Sequence, residues 1–129
     1  MSLHVQVRGG VTILSPRGKL WGGAETEELE SKIQELARAG NEKLLVNLDK
    51  TTYMNSLAIK VLIGAYKDHQ ARGAQLRLCS VGARIDQILV ITKLCLLFGD
   101  DQYDTEEEAL VSFTRARMER DAVSSPPDE

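Results

Sequence analysis

Only two cysteines occur in 129 residues, and that scarcity removes whole classes of protein. Cys79 and Cys95 stand apart in the apolar runs LRLCSV and KLCLLF, with no C-x-x-C pair. Neither a disulfide framework nor a cysteine metal centre finds enough ligands in them. They read instead as two small buried hydrophobes in a reducing cytoplasm. Uninterrupted apolar runs are short as well, below the ~20 residues needed to cross a bilayer. The opening MSLHVQVRGG has no basic stretch followed by an apolar one, so no secretory signal is read there. A cytoplasmic location without membrane insertion is the expectation. An excess of positive charge is missing too. Sixteen Lys and Arg against 19 Asp and Glu give a formal net charge of −3, which offers no electrostatic footprint for nucleic acid.

The groupings that enzymes use are equally hard to find. His4 falls on the polar face of an edge-like strand and His69 near a helix C-terminus, and neither neighbours a cysteine. At such a position His69 reads as a cap or packing residue. Asp100, Asp101 and Asp104 lie close together without calcium-loop spacing or its glycine. Glu106, Glu107 and Glu108 suit the positive end of a helix. Gly18, Gly22 and Gly23 form no phosphate loop, because neither G-K-[ST] nor G-x-G-x-x-G occurs. No enzymatic activity, catalytic residue, cofactor or metal is therefore expected.

What is present is an ordinary globular balance, 43% hydrophobic and 27% charged, enough for one domain with its own core. LHVQV alternates, with Leu3, Val5 and Val7 on one face, and Gly9-Gly10 then separates it from VTIL. That is a hairpin pattern, and its second strand is expected to run toward Leu20, bent or ended at Pro16. From Ala24 to Ala39 the period becomes helical. Leu29, Ile33, Leu36 and Ala37 make one apolar stripe, and Gly40 supplies the stop. Leu44 to Leu48 is nearly all apolar, as in a strand covered on both faces. A second helix is expected from about Ser56 to Arg72, then a strand in AQLRLCSV and a third helix in ARIDQILVITKL. Thr105 and Glu108 form a capping box for a last helix from Thr105 to about Arg120. The polar AVSSPPDE tail reads as disordered. Strands joined through helices imply parallel pairing beside the antiparallel hairpin. The fold class is α/β, a mixed four- to five-stranded sheet packed with about four helices.

The second helix carries the functional argument. At 100° per residue, Ala58, Val61, Leu62 and Ala65 share one face and should pack on the sheet. Ser56, Lys60, Ile63 and Lys67 share the other, with Ile59 between. Ile59 and Ile63 on or near the solvent side, flanked by Ser56 and Lys60, make a docking patch, unless the last helix or the Leu94–Phe98 segment covers them. A hydroxyl at a helix start either caps free N–H groups or carries phosphate in a favourable field. Trp21, the sole tryptophan, is either core or, if exposed, an interface anchor.

From about Leu3 to Arg117 the chain resembles a STAS domain, the fold of bacterial anti-sigma-factor antagonists. The features that carry the resemblance are the opening hairpin, RGKL before the first helix, the LLVNLDKTTYMNS junction, VITKLCLLF and DTEEEAL, in that order. The implied layout is a STAS domain over residues 1–118 and a tail over 119–129. The implied function is a protein–protein switch in transcription regulation and signal transduction. Such an antagonist binds an anti-sigma factor that is also a serine kinase, and phosphorylation at the start of the second helix breaks the complex. The family's junction reads D-S-S-G or D-S-T-G followed by Leu or Met, whereas this chain has Asn55, Ser56, Leu57, Ala58 and Ile59. Leu57 replaces a common phosphoacceptor, and Trp21 replaces an acidic residue often found in the G-x-L-D segment. Ser56 remains the phosphorylation candidate, by adjacency. Asn55, Leu57, Ile59, Lys60, Ile63 and Trp21 are the partner-binding candidates. Two readings stay open: an altered phosphorylation switch at Ser56, or a non-phosphorylated constitutive antagonist or scaffold of a stress-signalling assembly. An accessory subunit of a transporter is a further alternative. The partner is expected to be an anti-sigma factor/serine kinase or a larger STAS protein, and the chain a monomer or dimer.

Overall fold

Two consecutive glycines with positive φ, Gly9 at 57° and Gly10 at 81°, reverse the chain, as a two-residue hairpin loop requires. They join β1 (Leu3–Arg8) to β2 (Val11–Pro16), antiparallel from Leu3 opposite Pro16 to Arg8 opposite Val11. The computed structural model describes residues 3–82 and 101–113. Proline has no N–H to continue a ladder, and β2 ends at Pro16. The next strand, β3 (Gly18–Leu20), leaves the main sheet. Helix α1 (Ala24–Arg38), β4 (Lys43–Asn47), β5 (Thr51–Met54), α2 (Ser56–Ala71), β6 (Gln75–Cys79) and β7 (Gln102–Tyr103) follow. A third described helix, α3, occupies residues 106–113.

The main sheet has the order β1-β2-β4-β6-β7, parallel beyond the opening hairpin. A second, two-stranded sheet pairs β3 with β5 in parallel. The mixed α/β architecture and the five-stranded sheet agree with expectation. β3 does not prolong β2 as expected, and neither β5 nor β7 was anticipated. The expected ARIDQILVITKL helix, the Leu94–Phe98 segment, the end of the last helix and the tail lie outside the described residues.

Alternation along the central strands builds two cores. Leu14, Leu44, Val46, Leu76 and Leu78 face α1 and α2, against Leu29, Ile33, Ala58, Ile59, Leu62, Ala65 and Tyr66. Val11, Ile13, Leu45 and Cys79 face the other way, against Ala109 and Phe113 of α3. Each fully buried Leu or Phe contributes about 1.5–3 kcal/mol. Burial pushes the Cys79 thiol up to about 11, so it packs as an inert hydrophobe. α3 starts on the expected capping pair: the Glu108 N–H donates to Thr105 Oγ1 at 3.1 Å, and Thr105 Oγ1 donates to Glu108 Oε1. It is tied to the sheet by the Arg8–Glu106 ion pair and by Asn47 Nδ2 donating to Glu106 Oε1 at 2.9 Å.

At the β6 edge, Tyr66 Oη donates to Asp101, which lies 3.4 Å from Arg77 Nε; the buried Arg77 guanidinium stacks 4.5 Å from the Phe113 ring. Burial first, and then the Asp101 carboxylate, push the Tyr66 phenol up to about 12. His69 is a packing residue, wholly buried, with Nδ1 2.8 Å from the Ala65 carbonyl and no hydrogen bond to Nε2 among the described residues. Desolvation holds its pKa below the ordinary histidine value. The apolar face of β1 is only partly covered: Leu3 is buried, but Val5 and Val7 are 40% and 67% exposed.

Candidate docking site

The start of α2 is fixed by one side chain. Asn55 is the N-cap in extended conformation, and its Oδ1 accepts from the Ala58 N–H at 3.1 Å, satisfying one of the free donors of the first turn. Its amide group reaches the other way and donates from Nδ2 to the Trp21 carbonyl, while the Asn55 backbone N–H donates to the Leu20 carbonyl at 3.0 Å. Asn55 therefore joins the helix to the segment that follows β3. The β3–β5 ladder, with Lys19 opposite Tyr53 and Leu20 opposite Met54, brings residues 18–21 and 51–55 side by side although some thirty positions separate them.

Trp21 and Leu57 are more than half exposed, at 55% and 53%. The Trp21 ring lies against Tyr53, centroids 4.8 Å apart, with Lys19 Nζ 5.5 Å from the Trp21 centroid. Leu57 packs on Gly22, where φ is +90° and an added Cβ would stand 2.5 Å from Leu57 Cδ1. The left-handed φ calls for glycine at that position, and a Cβ there would push the exposed Leu57 side chain aside. Beside Leu57 a hollow of about 300 Å³ is lined by Gly22, Thr26, Glu27, Glu30, Leu57, Lys60 and Val61. Ser56, the first helical residue, is exposed. Asn55 has taken the capping role, and no hydrogen bond to the Ser56 hydroxyl occurs among the described residues.

The structure thus brings Trp21, Asn55, Ser56, Leu57 and Lys60 together and separates the two isoleucines from them. Ile59 is only 5% exposed and belongs to the core, and Ile63 is half-buried against it. The expected isoleucine patch does not exist. The buried face of α2 comprises Ala58, Ile59, Leu62, Ala65, Tyr66 and His69, rotated by about 50° from the expected stripe. Val61 turns toward α1 instead, where it lines a groove with Glu30, Ile33 and Ala37. Lys19, Tyr53 and Gly22 were missed. Nothing local marks them; only the β3–β5 pairing places them beside the helix start.

Among the described residues no group of three His, Cys, Asp or Glu could hold a metal ion, and no helix is long and apolar enough to cross a membrane. The family model of the STAS domain matches residues 2–109. Known structures share the fold. A Thermotoga maritima protein described as a candidate anti-sigma factor antagonist superposes with a TM-score of 0.78 at 21% identity, over 85% of this chain and 92% of that one. The phosphorylated form of the Bacillus cell fate determinant SpoIIAA gives 0.69 at 18% identity, over 86% and 98%. A sulfate transporter family protein from Wolinella succinogenes gives 0.68 at 17%, over 83% and 87%. At these identities the likeness speaks for the fold, and the match along most of the sequence speaks for descent: the chain belongs to the STAS domain family.

Proposed function

We propose that this protein is a regulatory binding module of the anti-sigma-factor-antagonist kind, working in the cytoplasm by docking rather than by catalysis. It grips a protein partner through the surface made by Trp21, Leu57 and Lys60 at the start of α2. The partner class we assign is an anti-sigma factor with serine-kinase activity. The observation that carries this reading is the pairing of two exposed large hydrophobes, Trp21 and Leu57, around a helix start whose first residue, Ser56, is exposed. A tryptophan in that setting is a typical energetic anchor.

Ser56 gives the surface a means of release. Phosphate there would bring roughly −1.5 to −2 charges and several strong acceptors. The helix start tolerates that charge through its dipole and its remaining free N–H groups, so the fold need not suffer. The apolar surface beside it would bind less well, because the phosphate resists desolvation.

Incubation with the kinase encoded by the same organism and ATP, followed by intact-mass measurement, tests the switch. One added phosphate, absent in Ser56→Ala, is expected. Calorimetric titration with the same partner tests the docking surface, where Trp21→Ala should weaken binding by about 30-fold. Unchanged affinity in Trp21→Ala would sink the proposed surface. Leu57 in place of a hydroxyl favours a second reading, in which docking is permanent and the domain is a constitutive antagonist or a scaffold subunit. Stable binding with no phosphate uptake would select it.

A further inference from the structure

Strand β1 ends the main sheet at one side, and its outward edge is unusual. The two-residue Gly9-Gly10 loop makes Arg8 and Val11 the closing hydrogen-bonded pair of the hairpin. Arg8, Gln6 and His4 therefore direct their backbone N–H and C=O groups at β2. Leu3, Val5 and Val7 direct theirs outward, where no described strand pairs with them. The same residues carry the strand's apolar side chains, and Val5 and Val7 are 40% and 67% exposed. Free donors, free acceptors and uncovered valines thus coincide on one run of backbone.

Native edge strands are normally protected by charge on the apolar face, proline, a bulge or a short length. β1 has none of these: it is six residues long, LHVQVR, regular in register with β2 and free of proline. Its one formal charge, Arg8, lies at the end of the strand on the opposite face and is engaged by Glu106.

We infer that β1 pairs antiparallel with β1 of a second copy of this chain, extending the sheet across a two-fold axis. The occupant follows from self-complementarity. A two-fold axis through Val5 sets Val5 against Val5, Leu3 against Val7 and His4 against Gln6. All apolar side chains then meet on one face, and no charged residue faces another, because Arg8 falls beyond the paired run. Moving the axis to Gln6 would oppose His4 and Arg8, so the Val5 register is the better one. It makes about six backbone hydrogen bonds across the join, with Val5–Val5 and Leu3–Val7 as the bonded pairs and His4–Gln6 as the closer non-bonded pair. This surface uses no residue of the docking site, so the two proposals stand or fall separately.

Sedimentation velocity over a concentration series tests it on the full chain. The expected result is a concentration-dependent dimer. Val7→Lys should shift its dissociation constant up by about tenfold or more, because each dimer carries the change twice, while its thermal unfolding stays close to that of the parent, since Val7 is largely exposed. Register is read by oxidation. A mixture of His4→Cys and Gln6→Cys proteins should form the mixed disulfide dimer above the parent's background, and each variant alone should not. A monomer at every concentration overturns the inference, as does a dimer indifferent to Val7→Lys or a mixture that fails to cross-link. Protection of the Val5 and Val7 amides that appears only when a different protein is added would assign the edge to a foreign strand and overturn it equally.

Discussion

Replacing Asn55 by alanine tests the architecture of the docking surface most directly. Asn55 does two jobs at once: Oδ1 caps the Ala58 N–H, and Nδ2 donates to the Trp21 carbonyl. Loss of the cap costs about 1 kcal/mol, and loss of the second hydrogen bond about another 1 kcal/mol, giving about 2 kcal/mol in all. For a chain of this size that corresponds to a fall of about 8 °C in the melting temperature, or a urea midpoint lower by about 1 M. Ser56→Ala, one residue along, should change stability by less than about 0.5 kcal/mol, because its exposed hydroxyl contributes no cap. Asn55→Asp separates the two jobs. It keeps the acceptor at the helix start and gains about 0.3–1 kcal/mol from the dipole. It also turns an oxygen toward the Trp21 carbonyl, so the net result is a fall of about 1 kcal/mol. The assay is urea unfolding followed by circular dichroism. Fluorescence of the single tryptophan reports in parallel whether the Trp21 segment has come loose. Equal losses in Asn55→Ala and Ser56→Ala, or no loss in Asn55→Ala, would refute the reasoning.

Three further outcomes are expected. His69 is buried with a lowered pKa, so the unfolded chain binds its proton first as pH falls; stability should decline below the unfolded value near 6.5 by at most about 1.4 kcal/mol per pH unit. Comparison of urea midpoints at pH 7.5 and 5.5 in the parent and in His69→Gln isolates that contribution, and identical pH slopes would refute it. Arg77→Met should cost about 1–3 kcal/mol, since it removes the cation 3.4 Å from Asp101 and the stacking on Phe113 and leaves the partly buried carboxylate without that counter-charge. Phe113→Ala beside it should cost about 3–5 kcal/mol in the same unfolding measurement. The Tyr66 phenol should ionise only at about 12, so an ultraviolet titration step there should vanish in Tyr66→Phe. The stability linked to its neutral form is complete below the usual tyrosine value near 10 and is lost as pH rises toward 12.

Much of the fold was legible because local chemistry and packing agree. Gly9-Gly10 announced a hairpin, Gly40 and Gly73 marked helix ends, and the LLV run of β4 matched a strand buried on both sides. β3 and β5 were not legible: three- and four-residue strands leave no period to read, and their pairing spans the whole of α1. The site suffered from that omission. Ser56, Leu57 and Lys60 were readable from the helix start. The proximity of Trp21 and Tyr53, and the demand for glycine at position 22, depended on the missing ladder. Ile59 misled for a different reason. Its angular position borders the apolar stripe, and the orientation of α2 on the sheet depends on where α1 sits, which no single helix encodes.

The two-sided burial of β4 has a consequence for how the chain finds its alignment. In a sheet wetted on one side, sliding a strand by one position throws every hydrophobe into water, and that penalty alone fixes the match. Here Leu44, Leu45 and Val46 meet apolar neighbours whichever way they point, so greasiness alone discriminates poorly between one alignment and the next. The decision falls to polar groups at the strand ends: Thr12 donating to Asn41, Asn47 to Glu106, and the Thr51 hydroxyl to the Pro16 carbonyl. These few hydrogen bonds add little to stability, but a slipped chain would leave them unmade at sites that are buried or partly buried.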